Sequence, residues 1–80
     1  MTQRSNLREV RNPVLALQGV KRLQTLPPEV RQAIADLFAD IRDDARDKAQ
    51  KSWLKNKGPM AAYWKAVGAY AEHIRRVIKP

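Results

Sequence analysis

The most constraining feature of the sequence is one long stretch, residues 28–56, with no proline or glycine after its first residue. Its apolar residues recur every three or four positions, as on one face of an α-helix, and are Val30, Ile34, Leu37, Phe38, Ile41, Ala45 and Ala49. Pro28 suits the first turn, because a residue there needs no amide donor and its φ is already helical. The stretch therefore predicts a helix about 42 Å long.

Helix signals also stand on both sides of this stretch. Asn12 followed by Pro13 is a typical helix start, so a first helix is predicted over residues 13–24, with its inner side formed by Val14, Leu17, Val20 and Leu23. Gly58 is expected to be the left-handed residue that follows the long helix. A third helix is predicted over residues 59–78 from an unbroken apolar stripe of Met60, Tyr63, Val67, Tyr70, Ile74 and Val77.

The arrangement of these helices predicts an all-α fold. The turn between the two long helices is short, which is typical of antiparallel neighbours. We expect one domain over residues 1–80: a long antiparallel helical hairpin with the shorter first helix packed on it, preceded by a polar basic arm, residues 1–11. On the third helix, a close approach by another backbone is expected at Ala62, Ala66 and Ala69. The solvent side of that helix is expected at Lys65, Glu72 and Arg76.

The charge of the chain is strongly positive and unevenly distributed. The formal net charge is +8, yet residues 23–47 carry six acidic and three basic groups, whereas residues 48–80 carry eight basic groups and one acidic group. Such a balance favours polyanions or acidic protein surfaces, and it also serves solubility. The absence of cysteine excludes disulfides and fits a reducing cytoplasm. No apolar run approaches the roughly 18 residues of a membrane span, so no membrane partner is expected.

No arrangement of residues predicts catalysis, a cofactor or a bound metal. His73 is the single histidine, and no serine or cysteine stands near it to be activated. The carboxylates share one stripe rather than two contrasting environments, and the three glycines form no phosphate-binding loop. Aspartates in the middle of a helix lack the loop oxygens that calcium prefers. We therefore predict that the protein is not an enzyme.

Charged residues follow two rows along the predicted long helix. One row holds Asp36, Asp40, Asp44 and Asp47, and the opposite row holds Arg31, Arg42 and Arg46. Residues four apart rise about 6 Å along a helix, which is close to the spacing of successive phosphates, so the acidic row fits a groove built for nucleic acid. The same row fits a solvated face with small i,i+4 contributions from neighbouring basic groups.

The segment KSWLKNKGPMAAYWK is the best candidate for a binding surface. Trp53 lies among Lys48, Lys51, Lys55 and Lys57. Lysines contact phosphates and an exposed tryptophan stacks on bases, but an exposed tryptophan equally anchors protein interfaces. A third interpretation is that Trp53 packs on Trp64 and closes the end of the core. Trp64 lies on the apolar stripe and is expected in the core.

Two classes of function fit these features. The first is a non-enzymatic protein, monomeric or homodimeric, that docks a helical face onto a larger protein complex and inhibits it. The second is a direct nucleic-acid-binding protein that uses the basic tip and the N-terminal arm. The candidate partner-binding residues are Lys48, Lys51, Trp53, Lys55, Lys57, Arg42, Arg46, Asp36, Asp40, Asp44 and Asp47.

The stretch LPPEVRQAIADLFADIRDDARDKAQKSWLKNKGPMAAYWKAVGAYAEHIRRVIK resembles small helical proteins carried by phages and prophages, among them anti-CRISPR inhibitors. The resemblance lies in size, lack of cysteine and lack of a catalytic set. It implies inhibition of a nucleic-acid-handling complex, such as a CRISPR effector complex, in the cytoplasm of a host cell. Acidic mimics of DNA are common among such inhibitors, whereas this chain is basic, so the resemblance implies occlusion of an acidic or RNA-bearing surface.

Overall fold

The computed structural model describes residues 12–80 and shows an all-α fold. A 3₁₀ turn, Pro13–Ala16, is followed by three α-helices, which are α1 (Gln18–Leu23), α2 (Pro28–Leu54) and α3 (Gly58–Ile78). α2 and α3 pack along each other, and the N-terminal elements pack at the open end of this hairpin. The predicted hairpin with a shorter first helix is therefore confirmed. The basic arm predicted for residues 1–11 lies outside the described residues.

The first predicted helix is not continuous over residues 13–24. The backbone is extended at Leu17 (φ −78°, ψ 134°), between the 3₁₀ turn and α1. In one straight helix Val14 and Leu15 would point roughly 120° or more away from Val20. The interruption brings all three side chains into the core. Leu17, which was predicted on the inner side, is 55% exposed as a result.

A left-handed asparagine closes the turn between α2 and α3, and α2 ends two residues before its predicted end. Asn56 has a φ of 60°. Its amide donates to the Trp53 carbonyl at 3.0 Å, and the Lys57 amide donates to the Ser52 carbonyl at 2.9 Å, which together form a Schellman motif. The prediction that Gly58 is left-handed is wrong, because Gly58 begins α3 instead. Asparagine is among the few residues that tolerate this region.

Small residues form the seam between α2 and α3. Its buried members are Ala35, Ala45, Ala61, Gly68 and Ala71. A Cβ added to Gly68 would lie 3.5 Å from the Arg42 carbonyl oxygen, so the two backbones approach closely here. The predicted inner face of α2 is therefore partly wrong, because the seam runs beside the large apolar stripe and leaves exposed Val30, Leu37 and Ile41. Within the hairpin, the close approach lies at Gly68 and not at the predicted Ala62, Ala66 and Ala69, which are exposed.

The main apolar core lies at the open end of the hairpin. Its buried residues are Val14, Leu15, Val20, Ala35, Val77 and Ile78, and the half-buried side chains packed against them are Leu23, Ile34, Phe38 and Ile74. Side chains also bind carbonyl groups in the last turns of α3, including that of Val77, which has no partner within the helix. The Gln24 amide donates to the Val77 carbonyl at 2.9 Å, and the Asn12 amide donates to the His73 carbonyl at 3.1 Å.

Candidate functional site

An open groove of about 700 Å³ lies between α2 and α3 near their connecting turn. We call it the tip groove, and its lining residues are Arg46, Ala49, Gln50, Trp53, Gly58, Ala61, Ala62, Lys65 and Ala69. The floor is built from alanine and glycine, whose small side chains leave space between the two helices. The walls are built from the long side chains. The seam that draws the helices together thus also creates a concave, largely apolar surface.

Trp53 forms one wall of the tip groove and is 67% exposed. It does not pack on Trp64, which faces the other side of the hairpin. Trp64 makes an edge-to-face contact with Tyr63, with ring centroids 5.0 Å apart, and Lys48 Nζ lies 6.0 Å from its ring. The interpretation in which the two tryptophans close the core together is therefore wrong. Trp64 itself is half-buried rather than fully within the core.

Two cations border the tip groove. Arg46 lies on α2 and Lys65 on α3, and neither forms an ion pair with any other residue of 12–80. Both side chains are exposed. Gln50 lies one turn after Arg46 and adds an amide that can donate and accept. The groove therefore offers an apolar floor, an aromatic wall and two positive charges that a ligand can neutralise.

A buried ion network stands one helical turn beyond the groove. Glu72, predicted on the solvent side, is 7% exposed and accepts hydrogen bonds from three arginines. Arg42 reaches it from α2 at 2.6 Å, and Arg75 and Arg76 reach it within α3 at 2.8 and 2.7 Å. The hydrogen bonds from Arg75, Arg42 and Arg76 hold the pKa of Glu72 well below its usual range, against the opposing effect of burial.

Arg42 is a structural residue in this arrangement, although the sequence predicted it to bind a partner. It donates to Asp43 at 2.8 Å as well as to Glu72, and these two hydrogen bonds raise the pKa of its guanidinium. Its side chain is 20% exposed. Because its Nη1 is bound to Glu72 across the α2–α3 contact and its Nε to Asp43 within α2, Arg42 joins the two helices and its charge is paired within the protein.

The predicted acidic row is exposed along α2 and is partly paired within the helix. Asp36, Asp40, Asp44 and Asp47 are all exposed. Asp36 accepts from Gln32 at 2.9 Å, Asp47 pairs with Lys51 at 2.9 Å, and Asp44 lies 3.8 Å from Lys48. The hydrogen bond to Asp47 raises the pKa of Lys51. The remaining predicted lysines, Lys55 and Lys57, are exposed at the turn.

The structure thus divides the predicted binding residues among three places. Trp53 and Arg46 share the tip groove, Arg42 lies in the ion network, and the aspartates and lysines follow the outer surface of α2 and the turn. The sequence interpretation missed Gln50 and the groove floor. It placed Lys65 on the solvent side of the third helix and at the end of the candidate binding segment, without relating it to Arg46. The sequence signal that could have revealed the groove is the recurrence of alanine or glycine on both helices near Trp53. These residues stand at positions 49, 58, 61, 62 and 69.

The residues considered from the sequence for catalysis or metal binding are placed as follows. His73 is half-buried, and its ring lies edge-to-face with Tyr70 at a centroid distance of 6.3 Å. Within residues 12–80, no three histidine, aspartate or glutamate side chains lie close enough together to hold a metal. In the same residues, α1 is too short to cross a membrane, and α2 and α3 are not apolar enough to do so.

No protein family, curated protein or solved structure matches this chain. The class that the fold and the site define is therefore a small all-α hairpin with a cation-bordered aromatic groove at its tip. The resemblance to phage-encoded anti-CRISPR inhibitors stays a prediction from size and composition.

Proposed function

We propose that this protein is a non-enzymatic docking module that binds an acidic segment of a partner protein in the tip groove. The observation that carries the proposal is the exposed Trp53, which lines the tip groove together with alanine and glycine residues and with Arg46 and Lys65. A large aromatic ring in water is free to anchor a partner, and tryptophan and arginine are enriched among the residues that dominate protein interfaces. The small floor residues give a partner side chain room to enter.

The chemistry of the groove favours a protein ligand over a nucleic acid. A nucleic-acid strand is bound mainly through rows of cations that follow its phosphates, and the groove has two cations around an apolar floor. Lys48 and Lys51 lie beside Asp44 and Asp47, whose charges repel a phosphate backbone. An acidic peptide needs only one or two carboxylates facing Arg46 and Lys65, together with an apolar side chain against Trp53.

Direct nucleic-acid binding is the second candidate, and one observation favours it. Trp53 combines 67% exposure with cationic neighbours in a chain of net charge +8, which is the arrangement on which a single-stranded base can stack. This candidate predicts affinity for DNA or RNA that falls steeply between about 50 and 200 mM salt. The docking candidate predicts binding that survives nuclease treatment.

We further propose that docking inhibits a nucleic-acid-handling complex in the cytoplasm of a host cell. This finer proposal is supported by the net charge of +8, which favours association with an acidic or nucleic-acid-bearing surface of such a complex. It is also supported by the extended hairpin, whose tip places the groove at one end of the molecule. Occupation of an acidic surface would exclude the partner's normal ligand.

The test is affinity capture from a host lysate with matched variants. Wild-type protein, Trp53→Ala, Lys65→Glu and the control Lys79→Glu are immobilised after circular dichroism shows equal helix content. Lys79→Glu makes the same charge change as Lys65→Glu at an exposed position outside the groove. We expect wild type and the control to retain a protein that the two groove variants lose. Equal retention by all four proteins would reject the tip groove as the docking site.

A nuclease step then separates the two candidates. If retention persists after DNA and RNA are digested, the partner is a protein. If retention is lost, and gel shifts with single-stranded and duplex DNA show salt-sensitive binding that Trp53→Ala weakens, the nucleic-acid candidate replaces the docking proposal.

A further inference from the structure

The side of the hairpin opposite the tip groove carries a second exposed surface. We call it the apolar face, and its residues are the exposed Ile41, Met60, Tyr63 and Tyr70 together with the half-buried Val67. Helical counting places the α3 members of this face on one side of the buried seam and Lys65 and Ala69 of the groove on the other. Tyr63 is 57% exposed and Tyr70 is 60% exposed. Large apolar side chains exposed together on one side of a small protein are typical of an interaction site.

A self-complementary row of charges borders the apolar face along α2. From Asp40 toward the turn, the row reads Asp40, Asp44, Asp47, Lys48, Lys51 and Lys55, and Asp36, the first member of the acidic row, has no basic counterpart. The acids and bases are placed symmetrically about the point between 47 and 48, so that 40 mirrors 55, 44 mirrors 51 and 47 mirrors 48. The ion pairs within the helix leave these side chains open to further partners, since Lys51 is 67% and Asp47 55% exposed.

The apolar-face residues of α3 are also placed symmetrically along the sequence, about a different position. Met60 and Tyr70 are equally distant from position 65, and so are Tyr63 and Val67. Regular helical spacing alone produces such symmetry, so the symmetry is not informative by itself. What matters is whether position 65 lies at the same height along the hairpin as the centre of the charge row on α2.

The packing of Gly68 shows that the two centres lie at the same level. An added Cβ on Gly68 would be 3.5 Å from the Arg42 carbonyl oxygen and 3.4 Å from Arg46 Cγ, so position 68 lies beside positions 42–46. The helices run antiparallel, and three residues toward the turn on α3 therefore correspond to three residues toward the turn on α2. Position 65 therefore lies at the same height as positions 47–48. One two-fold axis at this height can relate both α2 and α3 to their counterparts in a second copy.

We propose that a second copy of this chain covers the apolar face, with the two-fold axis perpendicular to the helices at this level. Each α2 then lies antiparallel to the partner copy's α2, and each α3 antiparallel to its α3, as in a four-helix bundle. Asp40 meets Lys55, Asp44 meets Lys51 and Asp47 meets Lys48 across the contact, and the tyrosines are buried between the layers. The tip groove faces outward, so this proposal does not depend on the proposed function.

Sedimentation equilibrium of the full chain tests the dimer. Wild type is expected at twice its 9.2 kDa mass at micromolar concentration. A variant with Lys51→Glu and Lys55→Glu places acids opposite acids, and a variant with Asp40→Lys and Asp44→Lys places bases opposite bases. Each is expected to dimerise at least about thirtyfold more weakly, because four attractive pairs per dimer become repulsive. An equimolar mixture of the two restores every opposite pair and is expected to form a heterodimer.

A matched control separates this pairing from net charge. Lys21→Glu with Lys79→Glu makes the same charge change at exposed positions away from the face, and it is expected to leave dimerisation unweakened. Tyr63→Ser with Tyr70→Ser is expected to weaken it. A wild-type mass of 9.2 kDa at every concentration up to about 1 mM would overturn the proposal and leave the face to a different partner. A dimer whose charge-reversed variants fail to recombine would overturn the antiparallel arrangement.

Discussion

Gly68 gives a sharp test of how closely α2 and α3 approach each other. An alanine there would place its Cβ 3.4 Å from Arg46 Cγ, 3.5 Å from the Arg42 carbonyl oxygen and 3.7 Å from Ala45 Cβ. These are ordinary van der Waals distances, so the methyl group fits without displacing the backbone. Glycine in the middle of a helix costs about 1 kcal/mol relative to alanine. Three new contacts add roughly 0.1–0.2 kcal/mol each.

Gly68→Ala is therefore expected to raise the free energy of unfolding by about 1 kcal/mol, which raises the Tm by roughly 4–8 °C in a domain of this size. The assay is urea and thermal unfolding followed by far-UV circular dichroism. Gly19→Ala is the matched control, because Gly19 is exposed and an added Cβ there meets no atom within 4 Å. It lies in the first turn of α1, so its gain is expected to be smaller, about 0.5 kcal/mol or less.

The opposite sign is expected for a larger side chain. Gly68→Leu drives a branched group into the space between the Arg42 backbone and Arg46, and it is expected to cost about 2 kcal/mol or more. If Gly68→Ala instead destabilises the protein by more than about 1 kcal/mol, the seam is tighter than the distances indicate. If Gly68→Leu is tolerated without loss, the two helices are not in contact at this level.

Other substitutions test the turn and the ion network. Asn56→Gly should preserve or slightly raise stability, whereas Asn56→Ala should cost about 1 kcal/mol, because only glycine adopts the left-handed region freely; urea unfolding measures both. Glu72→Gln should cost about 2 kcal/mol by the same assay, since three arginines lose a buried carboxylate. The pKa of Glu72 is lowered by folding, so its contribution is complete above about pH 4.5 and declines as the pH falls below that value. Thermal unfolding between pH 6 and about pH 2.5 should show a larger loss for wild type than for Glu72→Gln.

The element types and the hairpin could be predicted because their signals are local. Prolines at 28 and 59 mark helix starts. The stretch between them is too long for a single strand, and its apolar residues have helical spacing, so a helix is predicted. The end of α2 was less predictable, because Asn56 and Gly58 can both supply a left-handed residue and only the packing of the turn decides between them. The interruption at Leu17 likewise depends on where Val14, Leu15 and Val20 meet the end of α3.

The side of each helix that is buried could be predicted from hydrophobicity only at the open end of the hairpin, and not along the seam. The usual expectation places large apolar residues at the contact, but here alanine and glycine occupy it and the larger side chains lie beside it. Small residues are too common in helices to be recognised as a contact without the partner helix. Glu72 was misplaced for a related reason, since a charged residue is expected in solvent unless its three arginine partners are known.

The N-terminal segment, residues 12–24, is held by contacts with the far end of the chain, and this affects the order in which the protein unfolds. α2 and α3 are neighbours along the chain, so their contact re-forms after a short loop closure. The hydrogen bonds from Gln24 to Val77 and from Asn12 to His73 join residues 53 and 61 positions apart. Detachment of this segment should therefore precede separation of the hairpin. Amide exchange with deuterium would show α1 losing protection first, while the middle of α2 and α3 retains its protons until global unfolding.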